Sequence, residues 1–125
     1  MTDQPLPELA SSELDAMSVL WKAGALSARE VHDQLRSRHD WAYSTTRTVL
    51  ERLVKKGHLE KKSFHGVWLY DPRISRPQGL ARRVRDFAEK VLELDAVAVV
   101  PLFARGGSLS EDELAELTRL LERED

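Results

Sequence analysis

Residues 41–57 read WAYSTTRTVLERLVKKG, with hydroxyls and an arginine near the start and two lysines at the end. The spacing predicts a helix over residues 44–56, stopped by Gly57. At roughly 100° per residue, Val49, Leu50, Leu53 and Val54 gather on one side. Ser44, Thr48, Glu51, Arg52 and Lys55 take the other, flanked by Thr45 and Arg47. Solvent alone would accept such a face, as a serine N-cap followed by cations near the C-terminus. A polyanion would accept it for different reasons. Short hydroxyls permit close approach to base edges, and Arg47 offers a two-pronged donor to a guanine or a phosphate. Lys55 and Lys56, a turn or more further on, would meet phosphates and position without reading sequence.

The flanking residues favour the second reading. Upstream, a first helix should start at Ser11 or Ser12, with Asp15 in its first turn, a buried stripe of Leu14, Met17, Leu20 and Trp21, and a left-handed cap at Gly24. Ser27 and Glu30 form a capping box for a second helix whose inward face is Ala28, Val31 and Leu35. Downstream the period becomes alternating. Two short strands, 59–63 and 67–71, surround Phe64-His65-Gly66, and pairing of residues 25–26 with that hairpin would complete a three-stranded sheet. Trp68 and Tyr70 alternate with Val67 and Leu69, so one pair should face outward; the pattern does not say which. Three helices followed by such a hairpin make a winged helix-turn-helix.

Beyond Pro72, Ser75 and Gln78 mark another capping box, and Leu80, Val84, Phe87, Val91 and Leu94 recur at heptad spacing. Ser110 and Glu113 repeat the signal, with Leu109 and Leu114 as a staple and Leu117, Leu120 and Leu121 continuing the stripe. AVAVVPLFA, between them, reads as a buried strand or as a short helix interrupted by Pro101. Apolar helices after a complete small domain need a surface, and a second copy of the chain supplies one. The expected fold class is mainly α with a small β-wing. Residues 1–9 are expected to be a flexible tail, 10–73 a winged-helix DNA-binding domain, and 74–125 a helical dimerisation domain using Leu80, Val84, Phe87, Val91, Leu94, Leu114, Leu117 and Leu121.

Charge is distributed to match. The 125 residues carry −2 overall, yet residues 22–73 hold eleven basic and six acidic side chains, while the segments on either side are net acidic. Without cysteine there is no disulfide, thiolate metal site or cysteine nucleophile. The opening residues show no basic start leading into an apolar run, and the longest apolar stretch is too short to span a bilayer, so no membrane insertion and a cytoplasmic location are expected.

WAYSTTRTVLERLVKKGHLEKK, preceded by ELDAMSVLWKAGALSAREVHDQL and followed by VWLYDPRIS, closely resembles the penicillinase repressor (BlaI/MecI) family of winged-helix regulators; SLSEDELAELTRLLE matches the family's closing helix. The resemblance implies a homodimeric repressor on a two-fold operator, with recognition helices in successive major grooves and C-terminal helices forming the dimer. It places base-reading positions on Ser44, Thr45, Arg47 and Thr48, and backbone contacts on Arg52, Lys55 and Lys56. Several members are released when a membrane sensor-protease route cleaves an Asn-Phe bond; the matching dipeptide here is Leu102-Phe103, so the resemblance does not carry that route over. Copper-responsive relatives use a cysteine-rich motif this chain lacks.

Lys62 in the wing is a further candidate for DNA contact, as is His65 at the wing tip beside Lys61 and Lys62, where it would meet a phosphate. His32, His39, His58 and His65 share no helical i, i+3 or i+4 face, so neither a metal nor any other cofactor is expected. No nucleophile or acid-base pair stands out, which argues against an enzyme. A protein-interaction module and a small-molecule-responsive regulator are the competing readings.

Overall fold

The structure is a computed structural model describing residues 6–123. Two compact units are present: Leu9–Ser75, and residues 76–123 together with 6–8. Residues 1–5, at the head of the expected tail, lie outside the described residues. Leu6 and Leu9, inside that tail, are buried, Leu6 in the core of the second unit and Leu9 in that of the first.

In the first unit, α1 (Ser11–Ala23), β1 (Leu26–Ser27), α2 (Ala28–Leu35), α3 (Tyr43–Lys55), β2 (Leu59–Phe64) and β3 (Val67–Pro72) follow in order. The sheet is antiparallel with order β1-β3-β2, Leu26 opposite Tyr70 and Lys61 opposite Tyr70 from the other side. Ser27 ends β1 and caps α2: its Oγ accepts from the Glu30 amide at 3.2 Å while its own amide donates to Glu30 Oε1 at 2.9 Å. The core gathers Met17, Leu20, Val31, Leu35, Val49, Leu50, Leu53, Leu59 and Tyr70. Trp21 packs at its margin and donates its indole N–H to the Ile74 carbonyl at 2.9 Å.

Three local expectations change. Gly24 has positive φ (87°) but an extended ψ (−165°), so it turns the chain without forming a left-handed helical cap. The first-turn acid of α1 is Glu13, whose carboxylate accepts from the Ala10 amide at 2.8 Å. At the wing, neither strand pair divides cleanly into inside and outside. The hairpin outruns the core, so Val67 and Trp68 are both exposed while Tyr70 is buried and Leu69 half-buried. His65 and Gly66 both take positive φ (51° and 81°), as a two-residue type I′ turn requires.

In the second unit, α4 (Arg76–Asp86) runs into a π-helical turn (Phe87–Val91); a 3-10 turn (Ala96–Val99) leads into α5 (Val100–Gly106), and α6 (Glu111–Glu122) closes the chain. Pro101 sits in the first turn of α5, where a missing amide costs nothing, so it opens that helix instead of interrupting it. Ser110 and Glu113 cap α6 reciprocally, at 3.1 and 2.9 Å. At its other end Arg85 donates to the carbonyls of Leu120, Leu121 and Arg123 at 2.9–3.2 Å, a cation on the negative pole of the helix.

The heptad seam divides. Ala81, Val84 and Ala88 form the buried line, which shares only Val84 with the anticipated seam, and the two alanines leave room for Leu117, Leu120 and Leu121 of α6. Val84, Leu117 and Leu121 are thus core of their own chain, with Leu80 and Leu114 packed at its edge. The π turn, closed by the Leu92 amide on the Phe87 carbonyl at 3.1 Å, then adds a residue to the winding. Phe87, Val91 and Leu94 remain exposed at 54, 62 and 48%.

Candidate nucleic-acid interface

α3 starts one residue earlier than its sequence indicated, at Tyr43, with Ala42 as an N-cap that offers no side chain. Ser44 is therefore not a cap, and its hydroxyl is not spent on the helix end. It is exposed, as are Thr45, Arg47, Thr48 and Lys55. Thr48 Oγ1 donates to the Ser44 carbonyl at 3.0 Å, so its oxygen can still accept. Arg47 and Lys55 make no hydrogen bond or ion pair among the described residues. Ser44, Arg47, Thr48, Glu51, Arg52 and Lys55 together line a shallow open depression of about 620 Å³.

Behind this face, Val49, Leu50 and Leu53 anchor α3 to the core, together with Thr46, which the sequence reading passed over. Thr46 Oγ1 accepts the Trp41 indole N–H at 2.9 Å and lies 2.8 Å from His32 Nδ1. The Trp41 ring stacks on His39 with centroids 3.9 Å apart, and His39 Nε2 meets Asp15 at 2.6 Å. Trp41 is thereby a brace for the start of α3, its donor already engaged.

Three of the cations expected to contact DNA have partners inside the fold. Arg52 Nε and Lys56 Nζ both reach Glu13, at 3.0 and 2.8 Å, and Lys62 pairs with Asp71 at 3.0 Å. Glu13 is the surprise: its side chain is only 1% exposed, and it ties the N-terminal turn of α1 to the C-terminal end of α3. Burial pushes its carboxyl pKa up, but hydrogen bonds from Lys56, the Ala10 amide and Arg52 outweigh that and hold it below the ordinary 4.5. A carboxylate with a depressed folded pKa contributes stability above its unfolded value, and loses it as pH falls through the folded one. Stability should accordingly decline below about pH 4.5, and Glu13→Gln should flatten the profile in that range. Denaturant unfolding between pH 3 and 7 (roughly the carboxylate range) measures this; parallel profiles for the two proteins would remove Glu13 from the account.

Glu51, placed by the spacing on the outward face, links α3 to both long strands. Its Oε2 accepts from Tyr70 Oη at 2.5 Å and pairs with Lys61 Nζ at 3.0 Å. Burial and Glu51 push the Tyr70 phenol up. His65 is exposed at the wing tip, edge-on to the Phe64 ring. His58, half-buried at the entry to β2, has its imidazole pKa lowered by that burial and by Lys56. Among the described residues no cluster of three or more histidines or acids is placed to hold a metal ion, and no helix is long and apolar enough to cross a membrane.

Comparison with known proteins follows the same outline. The model of a family described as penicillinase repressor matches residues 9–123. The penicillinase repressor of Bacillus licheniformis is 29% identical over 117 residues, 94% of this chain and 91% of that one. The methicillin resistance regulatory protein MecI of Mammaliicoccus sciuri is 26% identical over 121 residues, 97% and 98% of the two chains. Among solved structures, monomeric Bacillus licheniformis BlaI in complex with the blaP half-operator superposes with a TM-score of 0.53 at 32% identity, covering 59% of this chain and 90% of that one.

Proposed function

Because the chain belongs to the penicillinase repressor family, we propose that it is a sequence-specific DNA-binding transcriptional repressor, acting in the cytoplasm as a homodimer on a two-fold operator. One observation carries this reading: the outward face of α3 presents Ser44, Thr45, Arg47 and Thr48 together, backed by core and with Arg47 in no hydrogen bond or ion pair among the described residues. That is the equipment of a recognition helix lying in a major groove, and the BlaI relative has been solved on a half-operator. Arg47 reads a base edge, the hydroxyls allow the approach, and Lys55 holds a phosphate. Arg52, Lys56 and Lys62 contribute to the positive field around the site, although all three are shared with acids of the fold, and His65 adds a phosphate contact at the wing tip. Repression is occlusion of a promoter, and two linked units multiply affinity.

Arg47→Ala is expected to weaken cognate binding by about 1–3 kcal/mol and to relax preference at one base pair. Lys55→Ala should weaken all sequences alike and reduce the salt slope by about one unit. Titrations of cognate and scrambled duplexes at several salt concentrations separate the two; identical losses from both variants on both duplexes would refute the division of labour. A protein-interaction module would instead show no preference for the cognate duplex and no tight DNA binding to lose as salt rises.

A further inference from the structure

Glu51 stands where a carboxylate is out of place. It lines the depression between Arg47 and Lys55, and a bare negative charge there would be repelled by a polyanion. The fold holds it deliberately. Tyr70, buried in β3, and Lys61, on β2, both engage Oε2, so one oxygen is committed and Lys61 offsets the charge. Oε1 has no partner among the described residues, and the side chain is 42% exposed. A merely solvated acid would need no buried phenol to orient it. The Tyr70 hydrogen bond and Lys61 prevail over partial burial to hold the carboxyl below its ordinary value, so it is ionised and can only accept.

In the major groove, guanine and thymine present acceptors at the position where cytosine N4 and adenine N6 present an amino donor. Building on the DNA-binding reading above, we propose that Glu51 is a specificity-determining residue. Its open Oε1 accepts a hydrogen bond from the exocyclic amino group of a cytosine or adenine, and Tyr70 and Lys61 act as positioning residues. Four residues of helix advance about 6 Å, so Arg47 and Glu51 address positions within one or two base-pair steps of each other.

The test uses the full chain. Duplexes randomised across a half-site are selected with the wild type and with Glu51→Ala. The wild type should select a cytosine or an adenine at one position near that read by Arg47, and the base recovered identifies the source of the amino group. That base is then replaced by its analogue lacking only the amino group. Wild-type affinity should fall roughly 5- to 150-fold, whereas Glu51→Ala should change by less than about twofold. Tyr70→Phe should lose part of the discrimination at that position and keep the preference read by Arg47. Thermal melting, with Glu51→Gln as a second variant that retains an oxygen for Tyr70, establishes that the variants are folded. Equal loss on every duplex, or an unchanged preference in Glu51→Ala, overturns the proposal while leaving DNA recognition intact. A wild type with no base preference at all overturns the recognition reading beneath it.

Discussion

Leu50→Ala should lower the stability of the winged unit by about 2–5 kcal/mol, the range for removing a fully buried leucine from a close-packed core. Leu50 is fully buried on the back of α3, with Val49 and Leu53 beside it and Met17 and Leu20 in the same core. Truncation leaves a cavity that rigid neighbours fill only in part, and a small domain holds only about 5–15 kcal/mol in total. The recognition face would suffer with it, since the same residue sets the seat of the helix carrying Arg47. All three tryptophans, Trp21, Trp41 and Trp68, lie in this unit, so tryptophan fluorescence in a urea titration reports on it directly. A midpoint shifted by an amount equivalent to less than about 1 kcal/mol would mean that the site collapses around the alanine and that α3 is held chiefly by its polar ties.

The second large effect belongs to the C-terminal unit. Phe87→Asp combined with Val91→Asp is expected to yield a monomer, with operator affinity reduced on the order of 100-fold or more, because the second half-site then has to be bound from free solution. Both residues project from the π-helical turn into solvent, with Leu92, Leu94 and Leu102 also exposed in this unit. Substituting Val84 would test something else. It lies in the chain's own core, and an aspartate there would unfold the unit instead of parting two copies. Sedimentation equilibrium decides the matter, with binding to one- and two-half-site duplexes as a companion measurement. A dimer of unchanged affinity would move the interface to another face.

The elements were legible where the signal was local. Ser27 with Glu30 and Ser110 with Glu113 each lie three residues apart, and both boxes close as read. The heptad spacing of Leu80 to Leu94 was equally visible, but spacing does not tell which chain answers a stripe; here α6 of the same chain covers part of it. Thr46 was hidden in another way. It falls three residues before Val49 and four before Leu50, within the apolar arc, but a polar label kept it out of the core until Trp41 and His32 were seen to satisfy its hydroxyl. The candidate site was readable as a face and not as a network. Glu13 lies 39 residues from Arg52 and 43 from Lys56, so nothing in the spacing announces that the backbone-facing cations have an internal partner. Glu51 and Tyr70 are likewise joined only by the packing of helix on sheet.

The order of the sheet carries a further consequence. Its borders are β1, two residues long, and β2, which bears Lys61 and Lys62 in succession. The first border is too brief to template another strand, and the second would set Lys61 and Lys62 against the same lysines of another copy. Promiscuous ribbon-to-ribbon growth is thereby discouraged in a protein with exposed Phe64, Val67 and Trp68 on its hairpin, so that a repressor which has to be concentrated near DNA can carry a sticky wing without polymerising through it.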